Sequence, residues 1–209
     1  MTALQPSCIE TVRWCQGRYH LIGLHRQRME RTCRELYGTS CEDIGDWLAP
    51  VPENMRGMTV KCRITYDIAI RSVEFEPYTP KRVESLQLVD GGTIDYHLKF
   101  SDRTTLDLLA ERRGSADAVI IVKDGLVTDT TYSNLVFQAG DKLLTPSRPL
   151  LRGVMATHLI ESGRVIPADL TPDDILPGNR YGITRAYLVN AMLPLGTAPS
   201  VDILNIGRL

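Results

Sequence analysis

The sequence predicts an α+β chain in two domains. Strand-like alternation and helix-like 3.6-residue periodicity are interleaved along its whole length. Its 209 residues suffice for two compact units, each with a core of its own. The break Pro77-Tyr78-Thr79-Pro80 interrupts the pattern and places a boundary near residues 77–84. The predicted domains are a small α/β domain over residues 1–83 and a larger one over residues 84–209.

The elements follow in order. Residues 18–23 read as a short strand, and a helix from Leu24 to Tyr37 is closed by Gly38 at the position a C-terminal cap favours. Residues 41–48 read as a second, short helix before the break Pro50-Val51-Pro52. Residues 58–66 alternate as a strand with Met58, Val60, Cys62, Ile64 and Tyr66 on one face, and residues 68–76 are its partner. A strand over 83–89 and a turn at Asp90-Gly91-Gly92 lead into an irregular stretch that holds Tyr96, Lys99 and Asp102. A helix from Thr104 to Arg113 stops before Gly114. Residues 117–122 are apolar without a gap after Asp117, the mark of a strand buried on both faces. Lys123-Asp124-Gly125 is a tight turn, and strands follow at 135–137 and 141–145. A helix over 154–161 ends at Gly163, and a last strand over 183–189 leads to Asn190.

Composition excludes several classes. A net charge of −1 lacks the basic excess of a nucleic-acid or membrane-surface binder. No apolar run approaches the length of a membrane-spanning helix, and no basic start followed by an apolar stretch marks a secretory leader. Five cysteines are an odd number with no C-x-x-C pair, so they read as reduced thiols of a cytoplasmic protein, with no metal site expected.

The chain has only five lysines. Lys61 falls in a strand on the solvent side, and Lys81, Lys123 and Lys142 fall in turns or breaks. Lys99 stands apart, among Tyr96, His97, Phe100, Asp102 and Arg103. A lysine amine whose pKa is lowered by burial or by a cationic neighbour becomes a nucleophile toward carbonyls. Taken singly, each candidate also has a plain reading: Lys99 as a surface lysine, Arg28 as an exposed helix arginine, Asp129–Asn134 as a polar loop.

An ordered set of segments outweighs those readings. Ile9-Glu10-Thr11 and His25-Arg26-Gln27-Arg28-Met29 come first, then Lys99, then Asp129-Thr130-Thr131-Tyr132-Ser133-Asn134-Leu135. Thr145-Pro146 with Leu150-Leu151-Arg152-Gly153-Val154-Met155 follows, and Asn190-Ala191-Met192-Leu193-Pro194 closes the series. In this order the chain resembles the class IV aminotransferases, the fold-type IV group of pyridoxal-phosphate (PLP) enzymes. The group includes D-amino-acid aminotransferase, branched-chain aminotransferase and aminodeoxychorismate lyase. The likeness covers nearly the whole chain, and the acid-to-asparagine segment is its most specific part.

The resemblance implies a D-amino-acid aminotransferase-like fold with Lys99, in the larger domain, as the Schiff-base lysine. It implies Arg28 on the cofactor phosphate, Asp129 as the acid at the pyridine nitrogen, Asn134 as a further cofactor-binding residue, and backbone N–H groups of Val154, Met155, Ala191 and Met192 on the phosphate. It also implies a small amino substrate and a homodimer. Two positions depart from the family. Asp129 stands where the family has Glu, which keeps the charge and loses one methylene, and Ala156 stands where an arginine is usual. The compact length and the Asn190-Ala191-Met192 stretch favour 4-amino-4-deoxychorismate lyase, which releases pyruvate and 4-aminobenzoate, a folate precursor. An aminotransferase for D-amino or branched-chain substrates is the alternative, and a catalytically silent PLP-fold binding protein is a third. Arg103, Arg148 and Arg152 are candidates for a substrate carboxylate.

Overall fold

A computed structural model describes residues 6–48 and 50–209; residues 1–5, which open the first predicted domain, lie outside them. The chain forms two compact units. One gathers the described residues up to Thr79 together with Leu98–Asp102; the other gathers Pro80–His97 and Arg103–Leu209.

The first unit is built from β1 (Cys8–Cys15), β2 (Arg18–Tyr19), α1 (Ile22–Tyr37), α2 (Ile44–Trp47), β3 (Val60–Tyr66) and β4 (Ile70–Pro77). Its strands make an antiparallel sheet in the order β2-β1-β3-β4. Alternation places Val60, Cys62, Ile64 and Tyr66 of β3 inward. Cys62, Ile64 and Tyr66 meet Met29 and Cys33 of α1 in a core that also takes Cys8 and Val12 from β1, so three of the cysteines serve as small apolar side chains. Gly38, at φ 68°, ends α1 in the left-handed conformation and returns its N–H to the Arg34 carbonyl.

Two expectations change here. The strand expected at 18–23 shrinks to Arg18–Tyr19, because Gln16 and Gly17 at φ 53° and 76° close a tight hairpin and Leu21 at φ 58° turns the chain into α1. The strand Cys8–Cys15 was not anticipated. Its inward row at its start is Cys8, Glu10 and Val12, and an acid in that row hides the apolar alternation.

The second unit contains β5 (Leu86–Asp90), α3 (Thr104–Glu111), β6 (Ala118–Lys123), β7 (Leu126–Val127), β8 (Asn134–Ala139), β9 (Lys142–Pro146), α4 (Val154–Glu161), β10 (Ile166–Ala168), β11 (Ile183–Val189), β12 (Ser200–Asp202) and β13 (Ile206–Gly207). Two sheets form, in the orders β10-β9-β8-β11-β12 and β13-β5-β6-β7. Strands β5 and β6 are parallel, and the chain between them contains α3. The gapless apolar run of β6 is buried from Ala118 to Val122, as a strand covered on both faces requires. Side chains from both sheets, among them Leu86, Ile120, Leu135, Phe137 and Leu188, share one core.

The segment that carries Lys99 belongs by its contacts to the first unit, whereas the sequence reading assigned it to the larger domain. The cause is an unfilled strand edge. β3 pairs with β1 from Cys8 to Trp14 on one side, while β2 reaches only Trp14 and Cys15 on the other. At the start of that second edge Cys8 bridges Phe100, the Ile9 N–H donates to the Lys99 carbonyl (2.9 Å), and the Ser101 N–H donates to the Ser7 carbonyl (2.9 Å). The Ser7 and Ser101 hydroxyls also pair, and Phe100 packs on the first core.

Candidate active site

Within the first unit, β1 and α1 bring three ionisable residues together out of water. Glu10 and His25 are fully buried and Arg28 is nearly so. His25 and Arg28 stand three residues apart on α1, so they share one face of the helix. Arg28 donates side-on to Glu10, from Nε to Oε1 at 2.7 Å and from Nη2 to Oε2 at 2.5 Å. His25 Nδ1 lies 2.5 Å from Glu10 Oε2 and is assigned as the donor, since an ionised carboxylate only accepts. Burial pushes the Glu10 carboxyl up, but the Arg28 charge, the electrostatic pull of His25 at the acidic pH where Glu10 titrates, and the hydrogen bonds of both outweigh it and hold the group at about 2. Burial lowers the His25 pKa; Glu10 partly offsets this, and the Arg28 and Lys99 charges lower it further. His25 is therefore neutral at pH 7, protonated on Nδ1, with Nε2 buried and without a partner.

Lys99 is half-buried beside this cluster, fixed through its backbone to Ile9, the neighbour of Glu10. Its charge is felt at His25.

Within the second unit the segment Asp129–Asn134 is a tied loop. Asp129 and Asn134 bridge across it, and the Thr130 hydroxyl accepts from the Ser133 N–H (2.9 Å). The buried Asp129 carboxylate is held at both oxygens: Asn134 Nδ2 donates to Oδ1 (2.7 Å) and the Leu151 N–H donates to Oδ2 (2.9 Å). Asn134 Nδ2 also donates to the Leu151 carbonyl (2.9 Å), so the acid, the amide and the Leu150-Leu151 turn form one assembly. A Cβ at Gly153 would land on the Asn134 amide oxygen, so only glycine lets this turn approach so closely.

Gly153 is also the cap residue of α4, and no side chain caps that helix. The N–H groups of its first turn, those of Val154 and Met155 included, have no partner within the helix, a geometry and a dipole that favour an anion. The Asn190 loop is more self-contained. Asn190 Oδ1 accepts from the N–H groups of Met192 (2.8 Å) and Leu193 (3.1 Å), and its Nδ2 donates to the Ser133 hydroxyl (2.9 Å). The Met192 N–H is thus already engaged inside the loop, in contrast to the donor role that the resemblance implies.

Two of the arginines considered for a substrate carboxylate have protein partners. Arg103 Nη2 donates to the Thr131 carbonyl (2.9 Å), and Arg148 pairs with Asp169 (3.4 Å). Arg152 is exposed, and Ala156, at the position of a family arginine, is buried. Sequence reasoning gave Glu10 and His25 no role. The signals were an acid in the inward row of a strand and a histidine one helical turn before Arg28. Among the described residues, no group of three metal-ligating side chains occurs, and no helix is long and apolar enough to cross a membrane.

Known proteins resemble this chain in sequence and fold. The family model for amino-transferase class IV matches residues 96–200. An uncharacterized protein of Haemophilus influenzae is 34% identical over 181 residues, covering 86% of this chain and 94% of that protein. A solved structure from Haemophilus somnus, titled a "putative 4-amino-4-deoxychorismate lyase", is 29% identical with a TM-score of 0.82 and covers 92% of this chain and 100% of its own. The PLP-bound form of a hypothetical aminotransferase from Mycobacterium tuberculosis shares the fold at 19% identity and a TM-score of 0.76, covering 100% of this chain and 85% of its own. By sequence and by fold, the chain belongs to the class IV aminotransferase family of pyridoxal-phosphate-dependent enzymes.

Proposed function

We propose that this enzyme is a 4-amino-4-deoxychorismate lyase with Lys99 as its cofactor-bearing lysine. The observation that carries the reading is the end-to-end likeness to the Haemophilus somnus protein at 29% identity. The short chain and the Asn190-Ala191-Met192 stretch support it.

The residues present fit the cofactor. A side-on pair with Glu10 orients the guanidinium of Arg28, a planar cation suited to a phosphate. Within the second unit, the uncapped start of α4 has the N–H groups of Val154 and Met155 suited to a phosphate, and the Ala191 backbone is a further donor by the family likeness. Asp129, aligned by Asn134 and the Leu151 N–H, offers a carboxylate to a protonated ring nitrogen. Bound PLP supplies the electron sink for the reaction.

The chain's own part is orientation and proton traffic. Lys99 would be the residue that holds the cofactor, and its Nζ, as a neutral amine, would take a proton from the substrate ring. The bond between the ring and the enolpyruvyl oxygen breaks, and the released enolpyruvate takes up a proton to become pyruvate. The ring, having lost a proton, becomes 4-aminobenzoate. Products and substrate balance without water or an oxidant. The enzyme acts as a homodimer on a small-molecule amino substrate, by the same family likeness.

The test is chemical. Purified protein treated with PLP and borohydride should carry the cofactor on Lys99 in peptide mapping, and Lys99→Ala should carry none. The wild type should convert 4-amino-4-deoxychorismate to 4-aminobenzoate and pyruvate in equal amounts. Trapping on another lysine refutes the Lys99 assignment. Amino-group transfer to a 2-oxo acid with no 4-aminobenzoate formed replaces the lyase reading with an aminotransferase.

A further inference from the structure

We propose that His25 is a positioning residue for the phosphate arginine: through Glu10 it fixes the plane of the Arg28 guanidinium and so sets the preference for a phosphorylated ligand. This rests on the reading of Arg28 as the residue that meets the cofactor phosphate.

The argument starts with what His25 does not do. It is fully buried and its Nε2 has no partner. An imidazole buried with one nitrogen bare costs free energy that an apolar side chain of similar size would not. What an apolar residue cannot supply is the Nδ1–H, and that hydrogen meets Glu10 Oε2 at 2.5 Å.

Glu10 in turn is what holds Arg28. The side-on fork fixes the guanidinium relative to the carboxylate, but the two could still rock together about the Glu10 side chain. A third donor, from a residue set on the same helix as Arg28, stops that motion. Glu10 reaches the cluster from β1 and the other two from α1, so the three bonds also tie helix to strand. A phosphate needs a planar donor pair at a fixed place, and an arginine free to swing gives that up. Because His25 enters the cluster neutral, removing its donor changes orientation without changing the net charge beside the phosphate.

The test compares pyridoxamine 5′-phosphate with pyridoxamine, neither of which can form an imine with a lysine, so the result does not depend on Lys99. Dissociation constants are measured by fluorescence titration on the full chain for the wild type, Arg28→Ala, His25→Leu and His25→Asn. His25→Leu should reduce the preference for the phosphorylated ligand about tenfold, the worth of one hydrogen bond to a charged group, and leave pyridoxamine affinity unchanged. His25→Asn should restore most of the preference, since its amide N–H can take the place of Nδ1–H. A folded His25→Leu that keeps the wild-type preference while Arg28→Ala loses it overturns the role of His25 alone. An unchanged preference in Arg28→Ala overturns the phosphate reading beneath it. If circular dichroism shows His25→Leu unfolded, the decision passes to His25→Asn and to the imidazole ¹⁵N spectrum of the wild type. A bare Nε2 with a retained preference in His25→Asn supports the role; a protonated Nε2, or a folded His25→Asn that has lost the preference, overturns it.

Discussion

Replacing Gly153 by alanine tests the assembly that holds Asp129. Gly153 has φ −72° and ψ 145°, which alanine adopts without strain, so any cost must come from contact. The added Cβ would fall on the Asn134 amide oxygen. Asn134 is not free to yield, because its Nδ2 holds Asp129 Oδ1 at 2.7 Å and the Leu151 carbonyl at 2.9 Å. Displacing it gives up one hydrogen bond to a charged group and one neutral bond, roughly 2–4 kcal/mol together. Alanine returns about 0.4–1 kcal/mol by restricting the unfolded chain. The net loss is about 2–3 kcal/mol, or a fall in Tm of about 5–10 °C for a chain of this length. Calorimetry of the cofactor-free protein measures it. The double variant Asn134→Ala/Gly153→Ala should melt no lower than Asn134→Ala alone, because the clash has gone. If Gly153→Ala melts within about 1 °C of wild type, a shift that small amounts to no more than about 0.5 kcal/mol and the close approach is not there.

Two further outcomes follow from the same geometry. Glu10 is held at about 2, below its ordinary 4.5, so its contribution is complete above pH 4.5 and is lost as pH falls toward 2. That drop is worth roughly 3 kcal/mol, and urea titrations of Glu10→Gln between pH 2 and 5 should show a flatter stability profile than wild type; a parallel profile would refute it. Asp129→Asn should slow 4-aminobenzoate formation about a hundredfold or more while borohydride still traps cofactor on Lys99; unchanged turnover would remove Asp129 from the chemistry.

Legibility from sequence followed the strength of the local signal. β6 and β3 were readable because a gapless apolar run and a clean alternation each have one dominant physical meaning. The end of α1 was readable because Gly38 supplies the left-handed cap. β1 was not, because the buried Glu10 reads as a solvent-facing residue until its partners from α1 are known. The same misreading hid the polar cluster: a single sequence shows an acid, a histidine and an arginine, but not that residues 15 and 18 positions after Glu10 fold back to within 2.5–2.7 Å of it. Short late strands such as β12 and β13 were missed because two or three residues carry no period to detect. The order of family-like segments was readable where single residues were not, since each segment alone has an ordinary explanation. The placement of Lys99 was beyond reach for a different reason. It depends on an open edge at the start of β1, a property of pairing partners and not of the lysine's neighbours.

That open edge bears on how the protein can be divided. The first unit is discontinuous: its chain leaves at Thr79, comes back for Leu98–Asp102 and leaves again. A fragment ending at residue 79 would lack the lysine and would expose the Ile9 N–H that Lys99 covers. Split expression, circular permutation or exchange of one unit with a homologue therefore requires carrying a five-residue insert across, and a recombination point near residue 80 separates Arg28 from Lys99. A single stretch of five residues, Leu98–Asp102, thus makes the first unit depend on chain that lies beyond its own continuous part.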